Sequence, residues 1–156
     1  MRTHHALNAV HFASLVLVAI CLGPAFAHLL ELPNKIGLAR EDYFTVQQIY
    51  RGWALLGVPI IGAIAGTAAL AWMMRSRPRA FAWVVAGLVC LVLAQAVFWV
   101  FTYPANVATN NWTEIPADWA ALRARWEYSH AAGSILSFAA LVSLVAALMA
   151  RTRPSD

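Results

Sequence analysis

The stretch His130-Ala-Ala-Gly-Ser-Ile-Leu-Ser-Phe-Ala-Ala-Leu-Val-Ser-Leu-Val-Ala-Ala-Leu-Met-Ala150 contains no Asp, Glu, Lys or Arg and ends at Arg151-Thr-Arg-Pro154. A helix crosses the hydrocarbon core of a bilayer with about 20 such residues. Three further segments have the same character: about Ala6 to Leu32, Val46 to Met74, and Ala80 to Phe101. The first is expected to stop before Pro33 and the third before Tyr103-Pro104, because the residue preceding a proline is pushed away from helical geometry.

The whole chain agrees with this pattern. Of its 156 residues, 62% are hydrophobic and 12% charged, against about a quarter charged in soluble domains. That excludes an ordinary soluble enzyme and a disordered chain. The formal charge is +4, but the arginines lie in short clusters between apolar runs, which is the distribution of membrane loops rather than of a nucleic-acid face. Cys21 and Cys90 both sit inside apolar runs and form no C-x-x-C pair, so they read as small core residues. The expected architecture is all-α: an integral-membrane four-helix bundle, residues 1–156 as one four-span domain.

Arg2, an apolar run and Ala25-Phe-Ala27 imitate a cleavable signal peptide. His28 and Glu31 continue the helical pattern beyond that point, so the segment reads as a retained first span. Orientation follows from arginine placement. The N-terminus, the hairpin Arg75-Ser-Arg-Pro-Arg79 and the tail hold six basic residues, and the two longer loops hold five. The margin is small, but the hairpin is short and densely basic. Both termini are therefore expected in the cytoplasm, with loops 33–45 and 102–129 outside. Ten arginines to one lysine and abundant alanine suggest a bacterial inner-membrane protein, so the sequon Asn111-Trp-Thr113 carries no weight.

Within the spans, Gly62 and Gly66 allow close helix approach. Pro24 and Pro59 each remove a helix hydrogen bond. His11 and Gln95 are expected to make interhelical hydrogen bonds. The outer ends are richer. His28-Leu-Leu-Glu31 puts a histidine and a carboxylate on one helix face, and Glu127-Tyr-Ser-His130 repeats the pair in reverse. If the four side chains meet, they suit one zinc, iron or copper ion. His28 and His130 could equally ligate haem b. The plain alternative is that they cap helices, meet water or pair with arginine, and Arg123 stands four residues before Glu127.

The third loop, Tyr103 to Trp119, is rich in aromatic and amide side chains. Pro116 and Asp118 suit a helix start, and Trp119, Leu122, Trp126 and His130 then share a face. This predicts an amphipathic interfacial helix feeding the fourth span. It serves either as an aromatic belt or as a lid over a cavity for a planar apolar ligand.

Two stretches carry a family resemblance. Asn110-Asn-Trp-Thr-Glu-Ile-Pro116 followed by Trp119-Ala-Ala-Leu-Arg-Ala-Arg-Trp-Glu-Tyr-Ser-His130 resembles the signature of the anthrone-oxygenase-like membrane proteins. His28-Leu-Leu-Glu-Leu-Pro-Asn-Lys35, Tyr43 and Gln47-Gln-Ile-Tyr-Arg51 resemble its bacterial branch. The resemblance covers nearly the whole chain and implies a four-helix bundle. For characterised members it implies oxygenation of an anthrone to an anthraquinone, with no established cofactor. It carries Arg123, Trp126, Glu127 and His130 as catalytic candidates and Asn106, Asn110 and Trp112 as pocket candidates, to which the aromatic face adds Trp119. Three readings remain: an oxygenase of lipophilic aromatic substrates, a metal or haem protein using His28, Glu31, Glu127 and His130, and a non-enzymatic membrane subunit.

Overall fold

The computed structural model describes residues 2–152; Arg153, counted above among the basic residues of the tail, lies outside them. The described residues are all-α, without strands. In order they form α1 (Arg2–Lys35), α2 (Arg40–Gln47), single 3-10 turns at Gln48–Tyr50 and Trp53–Leu56, and α3 (Gly57–Met74). Then come α4 (Pro78–Val97), a π-helical turn at Phe98–Thr102, α5 (Tyr103–Ala108) and α6 (Trp119–Thr152).

Four helices are long and apolar enough to cross a membrane. They close a ring in which α1 packs on α3 and α6, and α4 packs on α3 and α6. Their outward faces are apolar: Phe12, Ile20, Leu30, Ile61, Trp72 and Val142 are all exposed. A water-soluble bundle would place polar side chains there. The bundle is of the integral-membrane type, and those faces suit contact with lipid.

Lipid tails offer no hydrophobic drive to pair helices, so close packing must do it. The buried seam uses Ala63, Ala80, Ala140 and Ala147 between Val18, Leu70, Val84 and Leu144. The Gly62/Gly66 pair faces α1: a Cβ on Gly66 would stand 2.9 Å from Ser14 Oγ, and one on Gly62 3.2 Å from Leu17 Cδ1. His11 ties α1 to α6 through Nε2 and the Leu144 carbonyl at 3.0 Å. Gln95, expected to do likewise, is half-buried and makes no side-chain hydrogen bond among the described residues.

Both proline stops are overrun. α1 continues through Pro33 to Lys35, where Ile36 N–H still reaches the Leu32 carbonyl at 3.0 Å. The third span continues past Tyr103-Pro104 to Ala108, because the π turn before it widens the ladder. Tyr103 N–H bonds the Phe98 carbonyl five residues back, which makes room near the Val100 carbonyl that a proline ring would strike in an α-helix. The expected interfacial helix is the N-terminal part of α6, joined to the fourth span without a break. Its 34 residues make a rod ~50 Å long, well beyond a core of ~30 Å.

Above that core sits a second apolar cluster: Tyr43, Phe44, Ala105, Trp112, Leu122 and Trp126. It fastens α2, α5 and the 109–118 loop onto the head of α6.

Candidate functional site

The site forms where α1 and α6 enter this head. His28, Glu31 and Lys35 follow one face of α1 at i, i+3 and i+7. Trp126, Glu127 and His130 face them from α6, while α2 and the two 3-10 turns contribute Tyr43, Gln47, Tyr50 and Trp53.

Lys35 is the hub. Its ammonium is buried and lies 3.1 Å from Glu127 Oε1 and 3.5 Å from Glu31 Oε2. It donates to the Tyr50 hydroxyl at 2.7 Å, and Tyr50 in turn donates to Glu31 Oε2. Tyr43 donates to Glu127 Oε1 at 2.9 Å and accepts from Gln47 Nε2. The Trp126 ring lies 4.7 Å below the ammonium, a cation–π contact. Burial pushes both phenols well above their ordinary range. The Glu127 carboxylate adds to the effect at Tyr43, and the hydrogen bond to Glu31 adds to it at Tyr50. Both therefore stay protonated donors. Glu127 Oε2 and Gln47 Oε1 are buried without a partner among the described residues.

Beside this network the two histidines stack on each other. Their ring centroids are 4.2 Å apart and the planes meet at 34°. Trp126 touches both rings, at 5.0 Å from His28 and 4.1 Å from His130. Tyr50 and Trp53 close the other side of His28, at 4.6 and 5.4 Å. His28 Nδ1 is buried without a hydrogen bond, 3.9 Å from Glu31 Oε2.

The mirrored pairs thus come together, but not as a ligand set. Lys35 stands between the two carboxylates, and among the described residues no three His, Cys, Asp or Glu side chains are grouped to hold a metal ion. Haem fits no better. Bis-imidazole haem ligation, with metal–nitrogen bonds of about 2 Å, needs the two imidazoles on opposite faces of the macrocycle, and here the rings pack against each other with centroids 4.2 Å apart and a 34° tilt.

The remaining candidates stand one layer out. Arg123 donates Nη1 to the Leu38 carbonyl at 2.8 Å and stacks on Trp119 at 4.7 Å, so it clamps the α1–α2 loop. Asn106 Oδ1 accepts from both indoles, Trp112 at 3.1 Å and Trp126 at 2.8 Å. Trp112 is buried in the head cluster, and Asn110 is exposed and bonds Glu114 at 3.0 Å. Asn110, Asn111 and Trp112 all have positive φ, at 46°, 53° and 64°. That is tolerable for asparagine and costly for tryptophan. Thr109 holds the turn, accepting Trp112 N–H on its hydroxyl at 3.0 Å.

Two open grooves flank the site. One of about 400 Å³ lies over Phe44, Gln48 and Trp112. The other, about 290 Å³ and mostly apolar, runs along Pro24, Gly52, Trp53, Leu55 and Leu56. Trp53 separates it from His28.

Sequence reasoning passed over Lys35, Tyr43, Gln47 and Tyr50 as site residues, although all four lie in the stretches that carry the resemblance. The available signal was spacing: Lys35 extends the His28/Glu31 face by one turn, and Tyr43 and Gln47 are an i, i+4 pair. No family model, no curated protein and no solved structure matches the chain.

Proposed function

We propose that this is a bacterial cell-membrane oxygenase of lipophilic, anthrone-like aromatics, with both termini cytoplasmic and the histidine pair near the outer surface. One observation carries the reading: two closely packed imidazoles, boxed by Tyr50, Trp53 and Trp126, stand beside a mostly apolar groove. Aromatic walls suit a flat apolar ring system. An imidazole suits removal of a proton from an acidic benzylic CH₂. The resulting carbanion reduces dioxygen, giving anthraquinone and water from one anthrone and one O₂.

In this scheme His130 is the base. Trp126 is a wall, while Glu127 and Glu31 hold Lys35, whose positive charge lies close to the developing enolate. Arg123, Asn106, Asn110, Trp112 and Trp119 keep the head in place.

The test uses purified protein in lipid nanodiscs with anthrone and dissolved oxygen. Anthraquinone should form with matching oxygen uptake, faster than autoxidation in empty nanodiscs. Equal rates would sink the oxygenase reading. Elemental analysis of the same sample separates it from a metal protein. For orientation, Ala117→Cys should label from outside intact cells. Thr109, being buried and holding the turn, is unsuitable for that purpose.

A further inference from the structure

Charge is segregated along this bundle. Every acidic residue described, Glu31, Glu41, Asp42, Glu114, Asp118 and Glu127, lies at the end that holds the histidine pair, where Lys35, Arg40, Arg51, Arg123 and Arg125 nearly balance them. At the opposite end stand Arg75, Arg77, Arg79 and Arg151, with no acidic residue among those described. All the ion pairs among the described residues belong to the first end.

Three features turn this arginine end into a site rather than a solvated loop. Arg151, on the last turn of α6, is half-buried; its Nη1 is covered and meets no acceptor among the described residues. Arg77 lies within electrostatic range of it, and among the described residues no acidic side chain stands at this end to balance the two. A half-buried charge facing its like is unfavourable, and an anion relieves it. Arg77 is also the residue preceding Pro78 at the start of α4, whose 20-residue dipole presents its positive end there. Next to the hairpin, Trp72 is exposed and carries Arg75 stacked on its ring at 4.4 Å, with Arg75 Nη1 held by the Trp72 carbonyl at 2.7 Å. An exposed tryptophan at the end of a span sits at headgroup level, so the arginines beside it are at phosphate depth.

We infer that Arg77 and Arg151, assisted by Arg79, bind the phosphodiester of an anionic phospholipid. The inference is independent of the oxygenase reading. Guanidinium donors in a fork match phosphate oxygens, and a zwitterionic lipid brings its own ammonium to compete for the same oxygens. Selectivity for net-negative headgroups follows.

Native mass spectrometry of the full chain in a non-ionic detergent tests it, with phosphatidylglycerol, phosphatidylcholine and inorganic phosphate as three arms. Phosphatidylglycerol should be retained at least about tenfold better than phosphatidylcholine. Arg77→Gln and Arg151→Gln should each weaken its retention about fivefold, the equivalent of ~1 kcal/mol per basic residue at an anionic surface. Arg125→Gln, exposed at the other end, should change nothing. Arg77→Lys keeps the charge and should keep most of the binding, which separates lost recognition from a damaged fold. Equal retention of the two lipids, or undiminished retention by the Arg77→Gln/Arg151→Gln protein, would overturn the assignment. So would displacement of phosphatidylglycerol by millimolar inorganic phosphate, which would mark a site for the free ion.

Discussion

Lys35 Nζ stands 3.1 Å from Glu127 Oε1, and the two side chains are 5% and 0% exposed. An ion pair so far from water is stable only when both charges are fully partnered. Lys35 achieves this with Glu31 and Tyr50 as further acceptors. Glu127 achieves it on one oxygen only, its second being orphaned. Removing either partner leaves a buried charge alone. Glu127→Leu or Lys35→Met should each cost about 3–5 kcal/mol, and the double variant should recover much of that loss. Thermal unfolding in detergent reads the cycle. Additive losses would mean that the two groups do not act as a pair.

The spans are legible because lipid imposes a length and a composition that no loop imitates. Their ends are less so. Pro33 and Pro104 read as stops, yet a proline near a helix end costs little once its carbonyl clash is absorbed, by the last turn in α1 and by the π turn in the third span. That shift moves Lys35 from an apparent loop into the site, between the two carboxylates that the His28, Glu31, Glu127 and His130 pattern suggests as ligands. Spacing along one helix brings out each His/Glu pair. It says nothing of what a neighbouring element pushes between them. Arg123 illustrates the same limit: its type suits an oxyanion partner, but the carbonyl it meets belongs to Leu38, 85 residues away.

Asn106 tests the head. Its Oδ1 serves two indole N–H groups that have no other acceptor, and a buried donor left unpaired costs about 1–3 kcal/mol. Asn106→Leu should therefore lower the melting temperature sharply and loosen the 109–118 loop, seen as faster proteolysis there. Asn106→Asp keeps an acceptor and should lose much less. Equal losses in the two variants would show that volume, not hydrogen bonding, matters at this position.

Tyr43 and Tyr50 give the head an alkaline limit. Burial and nearby carboxylates raise both phenols above their ordinary value of about 10. The folded state therefore keeps protons that the unfolded chain releases. Their contribution is fully present below about pH 10 and is lost as pH rises beyond it. Melting temperature in detergent should fall between about pH 10 and 11, with a shallower fall in Tyr43→Phe. An unchanged slope in that variant would place the alkaline transition elsewhere.

His130 decides the catalytic proposal. It meets His28 and Trp126 through ring faces, and no side-chain hydrogen bond among the described residues involves its ring nitrogens. Glutamine in its place has similar volume and orphans no partner, so the His130→Gln protein should insert, purify and melt within a few degrees of the parent. His11 is the contrast, because its Nε2 bonds the Leu144 carbonyl at 3.0 Å. Replacing His11 by Leu leaves that carbonyl relying on its helix alone and should lower stability while sparing turnover. If His130 takes the substrate proton, His130→Gln should lose about 10²–10⁴ in rate at unchanged oxygen dependence. A stable His130→Gln protein with full turnover would remove His130 from the reaction and turn attention to His28, its stacked neighbour.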